Sequence, residues 1–147
     1  ISWSTLVLIA GMLPLATALA KTGTTTLIAH HLVDTLGDLG PTGMLAVVFL
    51  VTAVVALFIS NSATAVLIAP VAIEAAQALH VSPQGFAMTV AIACSAAFVT
   101  PVSSPTNMLV MEPGGYRFSD YAKVGVPLLA LTMVITVVMA RLIYLPG

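Results

Sequence analysis

The chain has 147 residues, of which 60% are hydrophobic and only 6% are charged, and its mean hydropathy is +1.15. A soluble domain of this length could not cover its surface with so few polar residues, so the composition predicts an integral membrane protein. The net charge of −1 and the lack of any basic run give no indication of nucleic-acid binding.

The first predicted element is a membrane span over residues 1–21, bent at Pro14. The chain starts at Ile1 without a Met, and this segment is too long for an export signal, so we expect the chain to be part of a longer protein. Cys94 is the single cysteine, which excludes a disulfide within the chain.

Residues 24–39 follow a different pattern, typical of an amphipathic helix along the membrane surface. The apolar positions recur at intervals of four, four and three: Ile28, Leu32, Leu36 and Leu39. The polar positions fall on another face: His30, Asp34 and Asp38. We interpret that face as solvated rather than metal-binding, because no further ligands follow at a recognisable spacing.

Residues 41–79 form two apolar limbs separated by the polar tip Ser60–Ser62, and no charged residue occurs from Pro41 to Ile73. The length of each limb allows either two full crossings or a re-entrant hairpin that enters and leaves on one side. The tip contains no Gly, Pro or charge to indicate a solvated turn. This favours a re-entrant hairpin with a buried tip over a plain helical hairpin.

Residues 84–112 contain the second polar interruption. Pro101 and Pro105 remove two amide donors and disfavour helical geometry in the residues before them, so the pattern predicts a helix that is unwound over 100–106. The competing interpretation is a proline-kinked span, but two prolines among five hydroxyl or amide residues exceed what a kink requires. A final span is predicted over residues 124–145.

Non-helical backbone at membrane depth must be buried in protein or line a wet cavity, which makes both polar segments candidate binding sites. Free carbonyl oxygens suit a hard cation such as sodium, and side-chain oxygens of Ser103, Ser104 and Asn107 could complete its coordination shell. Hydroxyl groups and the amide donors of a new helix starting near Asn107 suit an anion.

The run from Cys94 to Val110 then resembles the diagnostic stretch of the divalent anion/sodium symporter family. The order of residues matches throughout: Ser95, Phe98, Pro101, Val102, Ser103, Asn107, Leu109 and Val110. The tip Ser60-Asn61-Ser62 is similar to the family's Ser-Asn-Thr motif, with Ser in the third place. The resemblance implies the carboxy-terminal half of such a transporter, with the amino-terminal half of the inverted repeat lying outside this chain.

Carried onto this sequence, the resemblance implies an anion site and a sodium site that share one pocket. The anion would be bound by five residues: Ser60, Asn61, Ser62, Ser104 and Pro105. Sodium would be bound at four: Ile59, Asn61, Ser103 and Asn107. No catalytic residue and no cofactor besides the coupling ion Na⁺ is expected.

The predicted fold class is all-α and integral to the membrane, one inverted-repeat half with a re-entrant helical hairpin and a discontinuous transmembrane helix. The resemblance implies sodium-coupled transport of a dicarboxylate, citrate or sulfate by alternating access, by a homodimer in the cell (inner) membrane. One alternative is a proton-coupled or cation/anion antiporter, for which Glu74 is the candidate relay. A membrane subunit without transport activity is more remote, and an enzyme is not expected because all three His lie outside the apolar segments.

Overall fold

The computed structural model describes residues 3–101 and 105–145, and this part of the chain is α-helical without any strand. A short 3₁₀ helix, Gly37–Leu39, joins the second and third of its α-helices. The α-helices are α1 (Trp3–Lys21), α2 (Thr24–Leu36), α3 (Gly40–Ala56), α4 (Asn61–Ala78), α5 (Pro83–Ser95), α6 (Pro105–Met111) and α7 (Phe118–Tyr144).

Glycine and proline set the boundaries of the first three helices. Gly23 and Gly40 have φ of 73° and 70°, a left-handed conformation that glycine adopts without a Cβ clash, and they start α2 and α3. Pro41 occupies the first turn of α3, where its missing N–H has no intrahelical acceptor anyway. Pro14 and Pro70 lie inside α1 and α4 without ending them.

The antiparallel pair α3 and α4 forms the centre of the bundle, together with α5. Helix α4 packs most extensively against α5 and also against α2 and α1, while α5 packs against α3 and α7. The main core cluster lies among these helices and consists of Met44, Leu45, Val48, Ala72, Ala76, Phe86, Val90, Cys94, Val137 and Ala140. Burial of these side chains holds the hairpin against α5.

Within the part of the chain that the structure describes, two helical stretches are long and apolar enough to cross a membrane. One is Thr24–Ala56, of 33 residues and mean hydropathy 2.2, and the other is α7, of 27 residues and mean hydropathy 2.3. At 1.5 Å per residue, α3 and α4 are each roughly 25 Å long. The re-entrant course of this pair stays a prediction, because that length also fits a full crossing.

The apolar face predicted for residues 24–39 packs only in part within this chain. Leu32 and Leu36 are half-buried, and Leu36 packs against the main core cluster, whereas Ile28 and Leu39 are exposed. The fully buried positions of α2 are Thr25 and Ala29, whose small side chains allow a closer approach to α4 than Ile28 would.

The last helix begins six residues before the predicted span, at Phe118 rather than at residue 124. Its first turns contain the polar residues Ser119, Asp120 and Lys123, which precede the predicted span. The carboxylate Oδ2 of Asp120 accepts a hydrogen bond of 2.9 Å from the Arg117 backbone N–H, which caps this helix end. Polar residues in the first turn thus belong to the helix, since they satisfy amide donors that have no intrahelical partner.

Candidate functional site

The polar tip of the hairpin is the N-terminus of α4. Ser60 is its N-cap, with extended backbone (φ −59°, ψ 147°), and its Oγ accepts a long hydrogen bond of 3.4 Å from the Ala63 N–H. Helical geometry begins at Asn61, so Asn61 and Ser62 are in the first turn. The backbone amides of such a turn have no intrahelical acceptor and carry the positive end of the helix dipole.

Two side-chain oxygens in this turn are buried without a hydrogen bond to any described residue: Asn61 Oδ1 and Thr64 Oγ1. Thr64 itself has no exposed surface. Positions three apart share one face of an α-helix, so both oxygens lie on the same side of α4. Leaving a buried polar atom unsatisfied costs about 1–3 kcal/mol, which a bound ligand can recover.

Thr64 was not among the predicted binding residues. Its place one turn after Asn61 was visible in the sequence, but threonine within an apolar helix usually bonds back to its own backbone. Thr52 and Thr89 do so, donating to the carbonyl oxygens of Val48 and Gly85 at 2.6 and 2.8 Å. Thr64 makes no such bond, which only the structure shows.

The other side of the tip is exposed within this chain, and its predicted burial stays a prediction. Phe58 has an exposed fraction of 82%, and Ile59 and Ser60 are also exposed. The proposed sodium contact of the Ile59 carbonyl stays a prediction. The packing of α3 and α4 covers the hairpin limbs and the inner face at Thr64, so burial of the outer face would need parts of the protein beyond this chain.

The second polar segment starts earlier than predicted. Helix α5 ends at Ser95 instead of residue 99, and residues 96–101 are not α-helical. The Phe98 N–H donates to the Ala96 carbonyl at 2.8 Å in a tight turn. Ala96 and Ala97 are buried, so this backbone lies inside the bundle.

The predicted unwound stretch 100–106 is wrong at its far end, because Pro105 and Thr106 belong to α6. Proline is favoured in the first position of a helix, and Pro105 starts the helix instead of prolonging the break. Ser103 and Ser104, together with Val102, lie outside the described residues, as does the Pro105 side chain. Their assigned roles therefore stay predictions.

Helix α7 contacts the chain before and after the interruption between α5 and α6, which we call the break. The backbone at Gly125 approaches the segment so closely that a Cβ there would lie 2.5 Å from the Phe98 carbonyl oxygen. Four residues earlier, the Tyr121 hydroxyl donates to the Asn107 carbonyl oxygen at 2.8 Å. Tyr121 and Gly125 thus share a face of α7 and contact the chain before and after the break.

Asn107 lies beside a cavity of about 370 Å³ between the break and the first turns of α7. Phe98, Tyr121, Asp120 and Gly125 also line this cavity. Tyr116 packs edge-on against Tyr121, with ring centroids 6.1 Å apart. The structure therefore places Asn107 against α7, and its predicted sodium contact stays a prediction.

The tip and the break lie at the same end of the bundle. Ala53 near the end of α3 packs in one cluster with Ala93 and Ala96 at the end of α5, together with Phe49. Both helices point in the same direction there, and each is followed by one of the two polar segments. The fold thus brings together two segments that are about 40 residues apart in sequence.

Comparison with known proteins identifies the family and several relatives of this chain. The chain matches the family model described as citrate transporter over residues 1–93 and 40–146. It is 52% identical over 144 residues to the uncharacterized transporter YfbS of Escherichia coli (strain K12) and 40% identical over 144 residues to the uncharacterized transporter sll0640 of Synechocystis. Each match covers 98% of this chain.

A more distant relative is sodium/sulfate cotransporter 1 of Chlamydomonas reinhardtii, 29% identical over 136 residues, or 92% of this chain and 15% of that protein. The chain spans 24% of the length of both transporters above. The names of the family and of these relatives are those of membrane transporters, not enzymes. The similarity to the divalent anion/sodium symporter family is confirmed, and the chain belongs to the citrate transporter family of membrane proteins.

Proposed function

We propose that this chain is the part of a sodium-coupled transporter that binds a small divalent anion at the tip of the α3–α4 hairpin. The observation that carries the proposal is the pair of buried oxygens, Asn61 Oδ1 and Thr64 Oγ1, without a protein partner. Amide and hydroxyl oxygens are suitable ligands for a hard cation such as Na⁺. The name of the Chlamydomonas sodium/sulfate cotransporter supports the choice of ion.

The anion would bind at the same turn, in contact with its backbone N–H groups. The backbone N–H groups of the first turn of α4 and the hydroxyls of Ser60 and Ser62 can donate to a carboxylate or sulfate oxygen. Ser104 and Pro105 would contribute from the far side of the break. Because no charged residue occurs from Pro41 to Ile73, the attraction would come from dipoles and from bound sodium.

Coupling follows from this shared location. Sodium held by Asn61 and Thr64, with Ile59, Ser103 and Asn107 as further proposed ligands, would fix the first turn of α4 in the geometry that the anion requires. Each ligand would then raise the affinity for the other by the same factor. Transport would proceed by alternating access, in a homodimer in the cell (inner) membrane, with the hairpin and the broken helix moving together.

The test is uptake of labelled succinate, citrate and sulfate into vesicles that contain the full-length transporter, with sodium present or replaced by choline. We expect uptake of at least one of these anions to require sodium. Uptake that does not depend on sodium but is driven by a pH gradient would contradict the proposal and favour the proton-coupled alternative.

Asn61→Ala and Ser103→Ala test the site itself in the same assay. Asn61→Ala removes the proposed shared ligand, and Ser103→Ala removes another of the proposed sodium ligands, so each should abolish sodium-dependent uptake. Membrane expression should stay at the level of the unmodified protein, because both substitutions are small and Asn61 does not belong to a core cluster. Normal uptake by both variants would show that the site lies elsewhere.

A further inference from the structure

A second polar cleft lies at the opposite end of the bundle from the tip. Its volume is about 420 Å³, and it is formed where α3 begins, where α4 passes into α5 and where α7 ends. Helix α4 alone separates it from the tip by about 27 Å. The proposed transport site therefore does not include this cleft.

The polar residues of the cleft can donate hydrogen bonds, and none of its described lining residues is acidic. They include Thr42 at the start of α3, His80, and Arg141 and Tyr144 in the last turns of α7. Within residues 3–101 and 105–145, the side chains of these four form no hydrogen bond or ion pair. Ser82 differs, because its hydroxyl donates to Gln84 Oε1 at 2.7 Å.

Close packing builds the wall of the cleft. A Cβ on Gly85 would lie 3.1 Å from the Tyr144 Cβ, so the absence of a side chain lets α7 lie directly against α5. Tyr144 and Arg141 are one turn apart and lie on the same face. This contact fixes the end of α7 beside His80 and Thr42.

His80 has an unusual backbone for its residue type. Its φ of 56° is left-handed, and it follows the end of α4 where a glycine is normally favoured. The Val81 N–H bonds back to the Ala76 carbonyl at 3.0 Å, which closes the helix end around this conformation. Histidine at this place costs free energy relative to glycine.

The depth of the cleft matches that of lipid headgroups. Helix α7 is roughly 40 Å long, which exceeds a hydrocarbon core of about 30 Å, and Arg141 lies three residues before its end. Leu142 and Ile143, beside Arg141, are 66% and 61% exposed. A phosphate in the cleft would thus have an apolar helix surface next to it on which an acyl chain can lie.

We propose that this cleft binds the phosphate of an anionic phospholipid headgroup. The planar guanidinium of Arg141 would pair with two phosphate oxygens, and His80 and Thr42 would donate to the others. Basic pockets between helices at the membrane surface recognise such headgroups. The proposal requires a membrane protein and is independent of which anion is transported.

The experiment measures binding of phosphatidylglycerol to the purified full-length transporter in uncharged detergent, by native mass spectrometry. We expect Arg141→Gln to weaken this binding about tenfold, the size of one lost charge-assisted contact. The matched control is Lys123→Gln, which removes an exposed cation at the other end of α7 and should leave binding unchanged. Equal losses in both variants, or no loss in Arg141→Gln, would overturn the proposal.

A second variant keeps the test decisive if Arg141→Gln does not fold. His80→Gly removes the imidazole and relaxes the positive φ, so the variant should fold at least as well and still bind the lipid several-fold more weakly. Inorganic phosphate is added as a competitor to distinguish the sources of the anion. Weak competition supports a lipid site, whereas displacement at concentrations comparable to that of the lipid would identify a free-anion site and overturn the proposal.

Discussion

Thr64 and Thr52 show how two buried threonines can differ in their hydrogen bonding. The Thr64 hydroxyl is fully buried and makes no hydrogen bond within the described structure, whereas the buried hydroxyl of Thr52 donates to its own helix at 2.6 Å. The two residues have the same chemistry and the same burial. They differ in that the Thr64 hydroxyl has no hydrogen-bond partner and can therefore bind a ligand.

We therefore predict that Thr64→Val raises the sodium concentration needed for half-maximal uptake by about tenfold, since one oxygen ligand is lost. The matched control is Thr52→Val, which should change this concentration by less than twofold. Thermal unfolding of both variants should show that Thr64→Val is no less stable than the unmodified protein, because it removes an unsatisfied buried group. If the two variants show the same sodium dependence of uptake, Thr64 is not part of the sodium site.

The Tyr121 hydroxyl gives a second prediction at this scale. Tyr121→Phe removes the hydrogen bond to the Asn107 carbonyl and keeps the aromatic contact with Tyr116. We expect a loss of about 1 kcal/mol of stability and a several-fold weaker apparent affinity for sodium. Tyr116→Phe is the control in the same uptake and unfolding assays, and it should leave the stability and the apparent sodium affinity unchanged. Larger effects in Tyr116→Phe than in Tyr121→Phe would contradict this role of Tyr121.

At the scale of the elements, the break between α5 and α6 depends on α7. The backbone of Gly125 lies against Phe98 and Val99, at distances that leave no room for a side chain. A helix that packs this closely fixes the course of a segment without secondary structure of its own. The position of the break therefore depends on its contact with α7 as well as on the prolines.

Gly125→Ala should disrupt this contact. The added Cβ would lie 2.5 Å from the Phe98 carbonyl oxygen, so either α7 or the break must move. We expect a strong loss of uptake and a lower midpoint of thermal unfolding. Gly11→Ala in α1 is the control, because nothing lies within 4 Å of its Cβ and alanine favours a helix by about 1 kcal/mol. Retained uptake in Gly125→Ala would contradict the proposed role of this contact.

At the scale of the whole molecule, the course of the α3–α4 hairpin in the membrane is the prediction to test. If it is re-entrant, its tip lies near the bilayer midplane and its base lies at one surface. If it crosses twice, the tip lies in the water on the opposite side. The tip and the base of α4 are about 27 Å apart, so the two arrangements differ by nearly a full membrane thickness.

Cysteine labelling distinguishes these arrangements in the full-length transporter with its own cysteines removed. Phe58→Cys places a thiol at the exposed tip, and His80→Cys places one at the base. For a re-entrant hairpin we expect a bulky impermeant maleimide to label residue 80 from one side and residue 58 from neither side. Rapid labelling of residue 58 from the side opposite to residue 80 would show two full crossings.

Much of the helical order was predictable from the sequence because its signals are local. Apolar length predicts the helices, and Gly23, Gly40 and Pro41 mark their boundaries. The predictions were wrong where a helix end depends on partners: α5 ends four residues early, and α7 begins six residues early. Periodicity does not report such ends, because capping and contacts with other helices decide them.

The sequence by itself determined the membrane class, the family and the two polar segments, since composition and short motifs survive without coordinates. Only the tertiary structure decided that the buried oxygens of Asn61 and Thr64 are among those without a hydrogen-bond partner, and that Gly125 and Tyr121 contact the chain on either side of the break. It alone also placed His80 and Arg141 in one cleft. The physical reason is that hydrogen-bond satisfaction and close approach depend on residues far apart in sequence, which only the folded chain brings together.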